Sequence, residues 1–360
     1  MYKEKRNILL SIFLFLQIGA VSMLSKYPEW VDKYYANGIY PELSSFLRAV
    51  FGPVPFSVGD LVYLVLILLL CRFMYQLIKN DKRNRWSMVL SFLAALSIVH
   101  FFFYLNWGLN YSRSPLRVQM SLPEQQYDPQ HLQEVTGRIM DKTRELQVSL
   151  SGHDSLAVRM PYDKTEILEL TRAGYEALAR RFPEFHYSPV SIKKSLFSLP
   201  LTYMGFSGYL NPLTGEAQVD HLIPGISFPM TSSHEVAHQL GIASENEANF
   251  IGFLAAAHHS DPYFRYSAHL FILRYALFDL QRTDKEAYEN YKKKLSPGML
   301  ENFRESDAFW KSYENPAEPV FKWFYDHYLK LNQQHDGLQS YNKVMELLLS
   351  YEQVHALEFN

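Results

Sequence analysis

The expected fold of the second half of this chain is decided by one stretch, Ser232-Ser233-His234-Glu235-Val236-Ala237-His238-Gln239-Leu240-Gly241. It favours a helix that ends at Gly241, because glycine readily adopts the left-handed conformation that terminates many helices. Residues four apart share one face of a helix, so His234 and His238 would present two imidazoles to the same point. Two neutral imidazole nitrogens suit a divalent transition metal such as zinc. The stretch therefore predicts a metal site on this helix.

Glu235 is the acid beside the first of these histidines, one step around the helix. From there its carboxylate would reach a water molecule activated at the metal rather than the metal itself. A zinc ion lowers the pKa of such a water towards neutrality, and Glu235 would accept the proton and pass it to a leaving amine. The two histidines and the acid predict a hydrolytic centre with Glu235 as general base.

A catalytic zinc ion normally takes a third protein ligand. The next segment, Glu245-Asn246-Glu247-Ala248-Asn249, contains two glutamates that could serve. Ser244 would begin a second helix, on which Glu245 and Asn249 share a face. Glu245 is the favoured ligand, with Asn249 hydrogen-bonding a ligand imidazole. Glu247 is the alternative, although a capping box with Ser244 would explain it without a metal.

The pattern His-Glu-Val-Ala-His at 234–238, followed by Glu245-x-x-x-Asn249, resembles that of the zincin metallopeptidases and especially the gluzincins. In gluzincins the third ligand is a glutamate on the following helix in a Glu-x-x-x-Asp pattern, and here Asn249 replaces the aspartate. Ser244 stands where a metzincin carries its third histidine, which argues against a metzincin. The resemblance implies a metallopeptidase that uses one zinc ion to hydrolyse peptide bonds in a peptide or protein substrate.

Three apolar runs precede the motif, at residues 8–24, 61–78 and 88–107. Each is about long enough to cross a hydrocarbon core of about 30 Å as a helix. Basic residues flank the first run and fill the loop between the second and third, which predicts that both of these segments are cytoplasmic. These basic residues are Lys3, Lys5, Arg6, Lys79, Lys82, Arg83 and Arg85. We therefore expect a multi-pass protein of the bacterial inner membrane, with a cytoplasmic N terminus and an extracytoplasmic C-terminal domain.

The whole chain, with its three spans ahead of the motif, resembles an uncharacterised bacterial family of three-span membrane proteins. We expect a transmembrane anchor over 1–110, a linker over 111–128 and a zincin-like extracytoplasmic peptidase domain over 129–360. β-Branched and aromatic stretches between 190 and 222 predict a small sheet, and the sequence after residue 244 favours helices. The predicted fold class is α+β, with a mostly helical C-terminal half.

The segment 203–219 precedes the metal helix, as does the zincin edge strand that pairs with an extended substrate. Its candidate substrate-binding residues are Tyr203, Gly205 and Gly208. The candidates for stabilising the oxyanion of the reaction are Tyr263, Tyr266 and Tyr275. Trp107 and Tyr111, just after the third apolar run, are expected in an interfacial aromatic belt.

The charge and cysteine content narrow the classes of function. With 35 basic and 37 acidic residues the net charge is −2, so we expect no nucleic-acid partner. Cys71, the single cysteine, lies in the second apolar run and leaves no thiolate for a metal site in the soluble part. The alternative to an enzyme is a non-catalytic zincin-fold binding or sensor protein of the cell envelope, in which Glu235 would have no task. No pattern specifies the substrate or the oligomeric state.

Overall fold

The N-terminal third of the chain is helical in the computed structural model, which describes residues 2–79, 82–124, 128–332 and 341–355. Its helices are α1 (Tyr2–Leu24), α2 (Pro28–Trp30), α3 (Tyr40–Phe51), α4 (Val58–Lys79) and α5 (Lys82–Asn106), with a π-helix over Val31–Ile39. Three stretches are long and apolar enough to cross a membrane: Glu4–Leu24, Val58–Lys79 and Arg85–Asn106. They coincide with the three predicted spans, which confirms a chain with three membrane-spanning candidates near its N terminus.

The directions of the three long helices follow from their contacts. Asn7 donates to Ser91 at 2.9 Å and Gln17 donates to Ser97 at 3.0 Å, so α1 and α5 run parallel. The ring of Phe73, in the second half of α4, stacks on the ring of Phe92, in the first half of α5. Helix α4 therefore runs antiparallel to α1 and α5. The C-terminal ends of α1 and α5 and the N-terminal end of α4 therefore meet at one face of the molecule.

The segment between α1 and α4 is helical and packs on the second half of the chain. Tyr40, Ser44 and Arg48 are four residues apart, so they share one face of α3, and all three are buried. The Arg48 guanidinium donates to the carbonyl of Pro189 at 2.9 Å. This segment is thus on the same side of the spans as the C-terminal part of the chain.

The remainder of the chain combines eleven further described helices with one small sheet. The helices are α6 (Leu116–Gln119), α7 (Pro129–Ser151), α8 (Lys164–Ala179), α9 (Ser198–Met204), α10 (Phe228–Gln239), α11 (Glu245–Ala257), α12 (Pro262–Thr283), α13 (Lys285–Lys294), α14 (Pro297–Ser312), α15 (Glu318–Leu331) and α16 (Tyr341–Val354). The strands are β1 (Ile192–Lys194), β2 (Gly208–Asn211) and β3 (Glu216–Val219). Short 3-10 turns cover Gly108–Ser112, Pro183–Phe185 and Gly225–Ser227. A mostly helical α+β fold confirms the predicted class.

The sheet has the order β1-β3-β2, with β1 parallel and β2 antiparallel to β3. The strands are shorter than the sequence pattern indicates, because residues 202–204 belong to helix α9. Thr202 is buried there, and its hydroxyl lies 2.8 Å from the Ser198 carbonyl and 2.6 Å from the Asp220 carboxylate. Gly205, with φ +78°, ends this helix and starts the approach to β2.

Helix α11 lies at the centre of the C-terminal core. Its residues Phe250, Ile251, Phe253 and Leu254 are completely buried. The neighbouring glycine, Gly252, packs directly on the backbone of α10, since a Cβ atom there would lie 2.8 Å from the nitrogen of His234. This close crossing lets α10 and α11 share side chains at their ends.

A buried ion pair joins the sheet to the start of α4. Lys193 of β1 and Glu216 of β3 are 2.6 Å apart, and both are buried. Glu216 also accepts hydrogen bonds from the backbone amides of Val58 and Gly59 at 3.2 and 2.5 Å. A carboxylate is favourable at a helix N-terminus because it satisfies unpaired amides and complements the helix dipole. The second span is therefore attached to the sheet at its first turn.

Replacing Gly252 by alanine is expected to destabilise the fold by about 1–3 kcal/mol, because the added methyl group forces α10 and α11 apart. Thermal unfolding of the detergent-solubilised protein measures this as a lower midpoint. Gly19→Ala is the matched control, since no atom of another described element lies within 4 Å of the position that a Cβ would take at that helical glycine. Equal midpoints for the two variants would contradict the close crossing.

Candidate metal centre

The turn between α10 and α11 brings the predicted residues together. Helix α10 ends at Gln239, and Gly241 follows with φ +87°, a conformation that disfavours residues with a Cβ. The amide of Ile242 donates back to the carbonyl of Ala237 at 3.2 Å, which closes the helix end. The chain then enters α11 at Glu245, so the first residue of α11 faces the last turns of α10.

His234, His238 and Glu245 form a cluster whose ligand atoms all lie within 4.8 Å of one another. The two Nε2 atoms are 3.1 Å apart, and Glu245 lies 3.4 Å from His234 and 3.7 Å from His238. Tetrahedral zinc with Zn–N bonds of about 2.0–2.1 Å would separate two such nitrogens by about 3.3 Å. The donor set of two imidazoles and one carboxylate, at these separations, fits a zinc ion.

The two alternatives for the third acidic position are clearly separated in space. Glu245 faces both imidazoles, whereas Glu247 accepts a hydrogen bond from the backbone amide of Leu116 at 2.7 Å. The capping box expected at Ser244 is not formed, because Glu247 is directed to Leu116 and the Ser244 hydroxyl donates to Asn246. Glu247 therefore ties α11 to the segment after the third span.

The expected contact between Asn249 and an imidazole is absent from the described part of the chain. Asn249 instead donates to the Tyr275 hydroxyl at 3.4 Å. The ring of His238 is oriented by a backbone group, since its Nδ1 lies 2.7 Å from the carbonyl of Ile242. A carbonyl at this distance makes Nδ1 the protonated nitrogen and leaves Nε2 free for a metal.

Glu235 is buried, and it lines the same pocket as the cluster. Its Oε2 atom has no hydrogen-bond partner among the described residues. Gly208 of β2 passes so close that a Cβ atom there would lie 2.5 Å from Glu235 Oε1. Only glycine at this position allows the edge strand to lie over the carboxylate.

Burial and neighbouring charges shift the pKa values of Glu235, His238 and Glu245. Burial raises the pKa of Glu235 to about 7, although the two imidazoles act against this shift. Burial alone would lower the pKa of His238, but the carboxylate of Glu245 raises it to about 9. Burial also opposes the ionised form of Glu245, yet His238 and His234 hold the pKa of Glu245 well below its usual value. A divalent cation bound here would therefore displace a proton from the His238 imidazole.

Aromatic side chains that were not predicted complete the site. The Tyr325 hydroxyl of α15 donates to Glu245 Oε1 at 2.5 Å, and burial raises the pKa of Tyr325 well above its usual value, so it remains a donor. The Trp107 indole donates to the carbonyl of His238 at 2.9 Å. Trp107 and Tyr111 are 7% exposed, so their expected place in an interfacial belt was wrong: both pack inside the protein. The sequence alone did not indicate that Tyr325 belongs to the site, since it is one of 25 tyrosines in the chain.

A cavity of about 910 Å³ opens in front of the cluster. Of the candidate substrate-binding residues, Gly205 and Gly208 line it, whereas Tyr203 lies outside and packs against Tyr313. Among the three tyrosines that are candidates for stabilising the oxyanion, Tyr275 lines the cavity. Tyr266 instead binds Asn302 in the core at 2.8 Å.

The C-terminal end of α10 is held by side chains from segments next to the spans. The Gln239 carbonyl accepts hydrogen bonds from Tyr40 at 2.8 Å and Ser44 at 3.0 Å. Arg113 donates to the carbonyl of Gly241 at 3.0 Å. The last carbonyls of a helix lack partners within the helix, and here the membrane-proximal segments supply several of these partners.

The fold and the site together define a protein with three membrane-spanning candidates and a partly buried His/Glu cluster beside a cavity. Residues 35–349 match the family described as "Protein of unknown function (DUF3810)". The match covers most of the chain, and the chain belongs to this family. No curated protein and no solved structure matches the chain.

Replacing Tyr325 by phenylalanine is expected to weaken zinc binding by about 10–100-fold, because Glu245 loses the hydroxyl that orients it. Competition with a chromogenic chelator measures the dissociation constant. Tyr313→Phe is the control, since that ring lies outside the cavity lining. An unchanged constant for Tyr325→Phe would show that the hydroxyl does not support a ligand.

Proposed function

We propose that the protein is a membrane-anchored zinc metallopeptidase that hydrolyses peptide bonds. The observation that carries this proposal is the convergence of His234, His238 and Glu245 at ligand distances beside Glu235. This acid is buried, and its Oε2 atom has no hydrogen-bond partner in the part of the chain that the structure describes. A bound zinc ion would polarise the scissile carbonyl and lower the pKa of the attacking water. A purely structural site needs neither a cavity nor an additional acid.

Glu235 acts as the general base in this proposal. It accepts the proton of the attacking water and then transfers that proton to the leaving amine. Its place beside His234 on α10 keeps it out of the ligand set and within reach of a water in the cavity. Tyr275, which lines the cavity, is the residue we assign to the oxyanion among the three tyrosines considered.

The edge strand β2 provides a place for an extended substrate. The amide of Asp220 donates to the carbonyl of Ser207 at 2.8 Å, which sets the alternation of the antiparallel ladder. Gly208 and Leu210 then direct their backbone groups away from β3 and towards the free edge. Both residues line the cavity. A peptide added to this edge would lie in the cavity beside Glu235.

Zinc analysis and peptide hydrolysis by the purified full-length protein test this proposal. The wild type is expected to bind one zinc ion per chain and to cleave peptides. Glu235→Gln should keep the zinc and lose at least about 100-fold in rate, because the general base is removed. His234→Ala should lose both zinc and activity.

Two outcomes separate this function from its rivals. A wild type that binds one zinc ion but cleaves no member of a diverse peptide library would identify a zincin-fold binding or sensor protein of the cell envelope instead. A wild type without zinc would overturn both the enzyme and the zinc-binding alternative.

We further propose that the chain lies in the bacterial inner membrane with the cavity on the extracytoplasmic side. The basic residues before the first span and between the second and third support a cytoplasmic location of those segments. The ends of the spans that face the metal centre are the opposite ends, since α1 and α5 run parallel and α4 runs against them.

Cysteine labelling tests this orientation in a chain in which Cys71 has been replaced by alanine. Ser155→Cys lies on the exposed surface of the C-terminal part, and it should react with a membrane-impermeant maleimide in intact spheroplasts. Lys79→Cys, at the other end of the second span, should react only after permeabilisation. The reverse pattern would overturn the proposed orientation.

A further inference from the structure

We infer that the substrate is a membrane-anchored polypeptide, cleaved where it leaves the bilayer surface. This inference rests on the proposed peptidase function and adds the class of substrate to it. Three independent features of the structure support it: the walls of the cavity, the exposed face of α15 and the attachment of the edge strand to the second span.

Part of the cavity wall belongs to the spanning helices themselves. Tyr63 of α4 and Phe103 of α5 line the cavity together with the cluster residues. At a rise of about 1.5 Å per residue, Tyr63 lies about 7.5 Å from the start of α4, and Phe103 lies about 4.5 Å from the end of α5. Helix α4 has 22 residues and is therefore about 33 Å long, close to the thickness of a hydrocarbon core of about 30 Å. The cavity therefore reaches the boundary of the hydrocarbon region.

Helix α15 presents an apolar face to the surroundings at the same level. Val320, Trp323, Phe324 and Leu331 are 52%, 54%, 61% and 83% exposed. The opposite face of α15 is directed inwards and carries Tyr325, which binds Glu245. A helix with one exposed apolar face and one protein-facing side is suited to lie in a membrane interface.

Contacts with the third span fix the position of α15. The Tyr104 hydroxyl of α5 donates to Asn332 at the end of α15 at 2.9 Å. The ring of Phe103 also contacts the ring of Tyr328, with centroids 6.4 Å apart. The C-terminal end of α15 is therefore held against the C-terminal end of the third span, and lipid is the partner that this position indicates for its exposed apolar face.

The edge strand is held against the second span. Tyr209 of β2 donates its hydroxyl to Asp60, a buried residue in the first turn of α4. The rings of Tyr209 and Tyr63 stack with centroids 5.8 Å apart. A peptide bound to β2 would therefore lie beside the end of a span, in a cavity to which ten aromatic side chains contribute. This arrangement suits the segment next to a lipid or transmembrane anchor, with a large apolar side chain at the scissile bond.

Cleavage of anchored peptides by the full-length protein in phospholipid vesicles tests the inference. The probe is one quenched fluorescent peptide with a central Phe-Leu pair, used free in solution or coupled to phosphatidylethanolamine through a spacer. A spacer of four residues reaches at most about 14 Å. A Gly/Ser spacer of 24 residues has a mean extension of about 27 Å.

The short-spacer peptide should be cleaved at least as fast as the long-spacer peptide, and at least tenfold faster than the free peptide. Both anchored peptides are concentrated at the membrane to the same extent, so the comparison of spacers reports the distance of the site from the bilayer. Cleavage of the long-spacer peptide alone would place the site far from the surface and overturn the inference, while the proposed peptidase function would stand. No cleavage of any probe, with wild type and Glu235→Gln indistinguishable, would overturn both.

Phe103→Ala is expected to lower the ratio of short-spacer to long-spacer cleavage by about tenfold, since it removes a wall of the cavity at the membrane boundary. Phe102→Ala is the matched control, because Phe102 is the neighbour of Phe103 in the sequence but is 47% exposed and lies outside the cavity lining. It should keep the wild-type ratio. Equal ratios for the two variants would contradict a role for the span in substrate binding.

A spin label gives a readout that is independent of activity. Attached at Trp323→Cys in a chain with Cys71→Ala, it should be more accessible to oxygen than to a polar nickel complex, as expected in lipid. The same label at Val148→Cys, on an exposed apolar residue of α7, should show the opposite preference. A water-exposed label at position 323 would overturn the membrane contact of α15.

Discussion

The site depends on one set of hydrogen bonds. Side chains from membrane-proximal segments donate to the carbonyls at the C-terminal end of α10. The carbonyl of Gln239 accepts hydrogen bonds from Tyr40 and Ser44, and the carbonyl of His238 accepts from Trp107 in addition to the local amide of Gly241. A helix end buried without such partners would carry a large desolvation cost. The segments after the first and third spans therefore supply part of the hydrogen bonding that stabilises the buried end of the metal helix. The candidate centre is a joint product of the membrane-proximal and C-terminal parts of the chain.

The same arrangement places the site at the border between two environments. Asp60 and the Lys193–Glu216 pair attach the first turn of α4 to the sheet, and the edge strand β2 belongs to that sheet. Buried charges are tolerated there because each is matched by an opposite charge, a hydroxyl or a helix amide. A shift of the second span would consequently move the strand that lies over Glu235. The position of the spans and the shape of the cavity are mechanically linked.

Glycines at close crossings allow this density of functional groups. Gly252 brings the backbone of α11 against that of α10, and Gly208 brings β2 over Glu235. Any side chain at these positions would separate elements that must lie in contact for the ligand atoms to converge. The cost is a less favourable backbone entropy at both positions, which the packing of α11 in the core offsets. These glycines carry no chemistry, yet the geometry of the cluster requires them.

Periodicity in the sequence determined the local elements: three apolar runs long enough to span a membrane, a helix with histidines four apart and a second helix beginning near Glu245. These predictions succeeded because hydrophobic length and helical spacing are properties of neighbouring residues. The tertiary structure alone decided that Glu247 turns to Leu116, that Asn249 leaves the imidazoles and that Trp107 and Tyr325 enclose the cluster. Each of these facts depends on which distant segment supplies a partner for a buried polar group. Local spacing contains no information about that choice, because it is made by packing between residues far apart in the chain.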